Sequence, residues 1–97
     1  MITLDEIKRL YVGTVTSTES TIFDLTNGAV LKTVLLYNDN ATKETVSLNI
    51  DGTVFSFDVD TKTTAMIDKA IVCNILKAKT TTNAVNIHIS GIQLGGA

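Results

Sequence analysis

Apolar and polar residues alternate most clearly along Glu44–Val59, and Asp51-Gly52 interrupts that alternation at its midpoint. Both central positions of a type I′ turn need positive φ, which Asp and Gly tolerate, so the pair predicts a hairpin with a two-residue loop. In that register Ile50 faces Thr53, Leu48 faces Phe55, Val46 faces Phe57 and Glu44 faces Val59. Val46, Leu48, Ile50, Phe55, Phe57 and Val59 then share one face of the sheet. Thr45, Ser47, Asn49, Ser56 and Asp58 share the other, with Val54 alone out of place. A slip of one residue would turn the apolar set to water, so turn and alternation specify the same pairing.

The same pattern extends through most of the chain. Tyr11–Ser17 predicts a short strand, with Gly13 as a bulge or a close backbone approach. Thr21–Thr26 and Ala29–Asn38 flank Asn27-Gly28, which predicts a second type I′ hairpin. Ala29–Tyr37 is almost continuously apolar, with Lys32 its only charge. Such a run predicts a strand buried on both faces, needing cover from an N-terminal helix or from another copy of the chain. Ala84–Ser90 alternates, placing Val85, Ile87 and Ile89 inward and Asn86, His88 and Ser90 outward, and the strand continues past a kink at Gly91.

Residues 65–79 admit two readings. Ala65–Ile67 and Ile75–Lys79 can be strands around a bent connection at Ile71–Asn74. Alternatively, Ile67, Ile71 and Ile75, with Val72 and Leu76, line one side of a helix. Strands fit the all-β order of the remainder.

At the N-terminus, Thr3 and Glu6 have capping-box spacing and Ile2 and Ile7 that of a hydrophobic staple. These predict a short helix over residues 1–10 whose Leu4, Ile7 and Leu10 dock on the domain or on a neighbouring subunit, since two turns do not persist alone. A single domain over residues 11–94 follows, with a flexible tail at 95–97. About eight strands at intervals of roughly 8–12 residues predict an antiparallel β-sandwich of jelly-roll type.

Composition narrows the function classes. At 97 residues the chain makes one domain, burying roughly 60–65% of its unfolded surface. A formal charge of −2 and eight scattered basic residues, with no basic stripe, argue against nucleic acid as a partner. No apolar run reaches the length of a membrane span and no signal-peptide pattern opens the chain, so neither a membrane nor export is expected. Cys73 is the single cysteine, which excludes a disulfide framework and zinc spacing, and fits a reducing cytosol.

Candidate chemistry is sparse. His88 is the only histidine, and no nucleophile elbow accompanies it. Cys73 lies among apolar neighbours and reads as a core residue. Asp58, Asp60, Asp51 and the Asn38-Asp39-Asn40 run offer oxygen donors without the spacing of a calcium loop, and read as solvated turn residues. With no Trp, two Tyr and three Phe there is no aromatic wall for a sugar cleft. Gly95-Gly96 is not a phosphate loop. Neither an enzymatic activity nor a cofactor or metal is expected.

Several stretches together resemble the small β-sandwich accessory proteins of tailed-phage virions: Thr26-Asn27-Gly28, Val30–Asn38, Val46–Gly52, and Val85–Ile92 with its Ser90-Gly91-Ile92. The chain departs from them at Cys73-Asn74, where such domains commonly carry a Gly-Asp turn. A helix leading into a small sandwich is also similar to the shoulder domain of trimeric phage receptor-binding proteins. The resemblance implies a non-enzymatic component of a capsid, tail or baseplate, assembled in the bacterial cytoplasm and located in the virion. It further implies a homo-oligomer, a trimer in the shoulder-like case, contacting other virion proteins. On that reading Leu4, Ile7, Val30, Val34 and Leu36 are the expected buried or interface positions. The alternative is a receptor- or glycan-binding module, with Ser17–Ser20, Asn38–Lys43 and Thr80–Asn83 as its candidate loops.

Overall fold

The protein is represented by a computed structural model, and the structure describes residues 7–95. Seven strands follow one another: β1 (Lys8–Val15), β2 (Ser20–Asn38), β3 (Glu44–Ile50), β4 (Thr53–Val59), β5 (Thr63–Ile67), β6 (Ile71–Thr80) and β7 (Val85–Gln93). They form one antiparallel sheet in the order β1-β7-β2-β6-β3-β4, with β5 also paired to β2. Among the described residues there is no helix. Lys8–Leu10, expected to close an N-terminal helix, lie in β1 against β7. Ile7 precedes β1 outside any helix, and residues 1–6 of that expected helix, with Leu4 and the Thr3–Glu6 capping box, lie outside the described residues.

The β3–β4 hairpin adopts the register read from the sequence, from Ile50↔Thr53 through Leu48↔Phe55 and Val46↔Phe57 to Glu44↔Val59. Asp51 (φ 51°) and Gly52 (φ 96°) both occupy the left-handed region that the type I′ turn demands. Residues 63–67 and 71–80 are strands, which resolves the ambiguous 65–79 stretch toward the extended reading.

Asn27-Gly28 is not a hairpin turn. Gly28 takes φ 81°, yet the chain continues as a single 19-residue strand, β2. The irregularity is a bulge: β2 pairs with β6 up to Asp24↔Ile75 and resumes at Ala29↔Cys73. The Asn74 amide fills the gap, donating to the carbonyls of Leu25 (3.2 Å) and Thr26 (3.0 Å). A positive-φ glycine serves a bulge as well as a turn, and the partner strand decides between them.

A second bulge explains the apolar run in β2. Its pairing with β7 shifts between Leu31 and Thr33, which reverses the phase of side-chain alternation. Ala29 and Leu31 point inward before the shift, and Val34, Leu36 and Asn38 after it; all five are buried. Val30 and Leu35 are half-buried on the other face and Tyr37 is exposed. The strand is therefore not enclosed on both faces as the unbroken apolar run had suggested.

β5 and β6 lie end to end along one edge of β2, because β5 meets Val34–Asn38 and β6 meets Ser20–Leu31, while β7 runs along the opposite edge. One hydrophobic cluster takes Val15 from β1 and Ile87 and Ile89 from β7 together with Val46 and Leu48 from β3, Val59 from β4 and Leu76 from β6. Strands far apart in the sheet order can share a core only if the sheet curls over itself. At one end the Thr80 N–H donates to the Thr16 carbonyl at 2.8 Å, joining the end of β6 to the end of β1.

Candidate functional site

Three polar clusters tie the loops and turns down through hydrogen bonds within the chain. Glu44, 1% exposed at the start of β3, accepts from the Thr82 N–H (2.9 Å), the Asn83 N–H (3.1 Å), the Thr81 hydroxyl (3.1 Å) and the Asn83 side-chain amide (3.3 Å). The Thr82 N–H foremost, then the other donors, hold its carboxyl below the ordinary value of 4.5 against the opposing effect of desolvation. This carboxylate organises the loop between β6 and β7 as an N-cap organises a helix start.

Asn38 is fully buried and uses its whole hydrogen-bonding capacity. Its amide donates to the carbonyls of Thr42 (2.8 Å) and Val59 (3.0 Å), and its oxygen accepts from the N–H (2.9 Å) and side-chain amide (2.8 Å) of Asn40. The Asn40 amide donates onward to the Ala84 carbonyl, tying the β2–β3 loop to the start of β7. From the turn between β4 and β5, Lys62 bridges to Asp39 of the same loop at 3.0 Å. In the third cluster Asp51 accepts from the N–H groups of Asn74 and Ile75, both at 2.9 Å, docking the β3–β4 turn on β6.

None of the expected chemistry-bearing residues is assembled into a reactive constellation. Among the described residues, no three His, Cys, Asp or Glu side chains converge as metal ligands. Asp58 accepts from the Thr45 hydroxyl (2.8 Å) and meets Lys43 at 3.5 Å. Cys73 is fully buried, and its thiol is pushed up to about 11, first by burial and second by the Asp51 carboxylate. A thiol of that kind is almost entirely protonated at neutral pH and a poor nucleophile. A thiol-reactive disulfide reagent at pH 8 is expected to leave the folded protein unmodified and to titrate one thiol after denaturation. Rapid native labelling would show that the core opens at β6.

What remains is surface. On the outer side of β1, β7, β2 and β5 the registers align Val12, His88, Leu35 and Met66 in one row across four strands. The next row holds Thr14, Asn86, Tyr37 and Thr64. Val12 is 57% and Met66 62% exposed. Between the rows lies a shallow depression of about 470 Å³, bordered by Val12, Leu35, Tyr37, Asn86 and His88. Neither row contains a formally charged side chain. The outward position of His88 was legible from alternation; its apolar flanks were not, because Val12, Leu35 and Met66 come from three other strands.

The residues expected to be buried or interfacial lie in different environments. Val34 and Leu36 point into the chain's own core, Val30 is half-buried on the opposite face, and Ile7 is 61% exposed ahead of β1. Of the expected loops, 38–43 and 80–83 direct much of their polar capacity inward, to Asn38, Asn40 and Glu44. Comparison of the chain with known protein families, with curated proteins and with solved structures yields no match.

Proposed function

We propose that this chain is a non-enzymatic structural protein that works by surface contact, as an oligomeric accessory component of a tailed-phage capsid or tail. The observation that carries the reading is the uncharged row Val12–His88–Leu35–Met66, open across four strands in a protein whose buried Asn38 and Glu44 are committed to its own loops. A face that is apolar at its centre and bordered by Thr and Asn is suited to burial against protein. The curled sheet with one shared core is compatible with the small β-sandwich that the sequence resemblance implies. That resemblance also supplies the virion setting and, for the shoulder-like arrangement, three copies. No described helix is long and apolar enough to cross a membrane.

Mass spectrometry of virions purified from producing cells tests the assignment. The protein is expected in the particle at a stoichiometry of many copies. A Val12→Glu/Met66→Glu double variant, altered only at exposed positions, is expected to fold with unchanged thermal unfolding and to be depleted from particles at least tenfold. Abundant protein in the lysate with none in the virions would refute the proposal.

A second reading, a receptor- or glycan-binding module, draws on the depression beside Tyr37, where an aromatic ring lies near Asn86, Thr14 and Thr64. A Tyr37→Ala variant that loses binding on a glycan array, while still entering particles, would favour it.

A further inference from the structure

Among the described residues three strands, β1, β5 and β4, pair along one side only. β1 carries Lys8 and Arg9 and a bulge at Leu10, where the pairing shifts between Arg9 and Tyr11. β5 is only five residues long. Charged residues, bulges and short length are the usual means by which a sheet edge is kept from pairing with another chain. β4 has no bulge and no basic residue. Its seven residues, Thr53-Val-Phe-Ser-Phe-Asp-Val59, pair in unbroken register with β3 and with no other strand. Its one charged side chain, Asp58, is held back toward β3 by Thr45 and Lys43.

The hairpin register states which β4 groups are free. The residues closing a two-residue type I′ loop, Ile50 and Thr53, form a hydrogen-bonded pair, and such pairs recur at every second position. Thr53, Phe55, Phe57 and Val59 therefore direct their N–H and C=O groups at β3. Val54, Ser56 and Asp58 direct theirs outward, along a strand about 24 Å long at 3.4 Å per residue. Beside this edge the apolar face of the hairpin overruns the core: Phe55 is 48% exposed, and Phe55, Phe57, Ile50, Thr53 and Ile71 line a cleft of about 370 Å³.

We infer that the β4 edge is a homodimerisation site at which β4 of a second copy pairs antiparallel about a two-fold axis through Ser56. This register satisfies every constraint at once. Ser56 meets its own counterpart, and Val54 meets Asp58 of the other copy, so all three outward-directed residues fall in hydrogen-bonded pairs and six backbone bonds form. Phe55 then lies beside Phe57 of the other copy in the closer, non-hydrogen-bonded position, twice over, making a continuous aromatic ledge. No like charges oppose one another, because each Asp58 faces a valine. Shifting the axis to Phe55 or Phe57 preserves the alternation but leaves two of the four rings without an aromatic partner. An isologous contact closes at two copies, so it gives even-numbered assemblies, in contrast to the trimer implied by the sequence resemblance. The inference does not rest on membership of a virion.

Sedimentation of the purified chain over a hundredfold concentration range, combined with amide hydrogen exchange, tests it. A concentration-dependent dimer is expected. The amides of Val54, Ser56 and Asp58 are expected to gain protection as it forms, while those of Phe55 and Phe57 are protected throughout. Ser56→Pro removes an N–H that β3 does not use, and Ser56→Lys places two cations face to face. Each is expected to weaken the dimer at least tenfold; the lysine variant provides the test if the proline variant fails to fold. Ser56→Cys is expected to give a disulfide-linked dimer on mild oxidation, Cys73 being buried. A chain that remains monomeric at the highest concentration overturns the inference. So does an oligomer whose mass is indifferent to Ser56→Lys.

Discussion

Replacing Glu44 with alanine is expected to cost about 3 kcal/mol of folding stability, the scale for deleting a buried acceptor of several charge-assisted hydrogen bonds. The carboxylate receives four donors from Thr81, Thr82 and Asn83, and its removal strands them beside the closely packed start of β3. Thr81–Asn83 are themselves exposed, so water can recover part of the loss, which keeps the figure below a simple sum. Glutamine keeps an acceptor and loses the charge, and about half the penalty is expected. Urea unfolding with an unchanged m-value checks both, and the corresponding melting temperature should fall by about 4–8 °C per kcal/mol for a domain of this size.

The same group gives the fold a pH dependence of definite sign. Its folded-state pKa lies below the ordinary 4.5, so the native state binds fewer protons than the unfolded chain. The contribution is fully present above 4.5 and is lost as pH falls from there through the folded value. Asp39, lowered first by its hydrogen bond to Lys62, and Asp58, lowered first by that to Thr45, act in the same direction from exposed positions. Stability measured from pH 7 down to pH 2 should therefore fall below about pH 4.5 in the wild type, and less steeply in Glu44→Gln.

Where sequence and structure agree, two local signals were redundant. In β3–β4 the turn type and the alternation specified one register, and β7 was legible because no bulge broke its inward set of Val85, Ile87 and Ile89. β2 was misread for the opposite reason. One extra residue near Lys32 put its two halves out of phase, so a singly buried strand looked apolar throughout, and Gly28 carried a backbone signal common to turns and bulges. Counting β2 as two strands raised the expected number from seven to eight. The role of Glu44 was not legible at all. It was visible as a strand end opposite Val59, but its partners lie 37–39 residues away, and nothing in the local pattern encodes that return. The outer row through His88 was hidden for the same reason, since it is a property of three long-range registers rather than of any one segment.

Gly91→Ala is expected to be at least as damaging as Glu44→Ala, at about 3 kcal/mol or more, through steric overlap. Gly91 pairs with Lys8 on β1 and Leu31 on β2, and both neighbours bulge just beyond it, at Leu10 and at Lys32. The backbone of β2 is so close that a Cβ at Gly91 would overlap the Val30 carbonyl oxygen, and it would also crowd the Leu10 side chain at 3.0 Å. A carbonyl in a paired strand cannot rotate away as a side-chain tip can, so relief requires moving β2, whose Leu31 and Val34 hold the centre of the core. Gly52→Ala supplies the contrast. No atom beyond its chain neighbours lies within 4 Å of the added methyl group, and the positive φ of 96° is what opposes it, worth about 1 kcal/mol. Chemical denaturation of the two variants in parallel separates the causes: a large loss at Gly91 with a small one at Gly52 assigns the penalty to close strand approach. Equal losses would mean that β2 yields readily, and that the paired bulges beside Gly91 are not held by the tight approach of the strands.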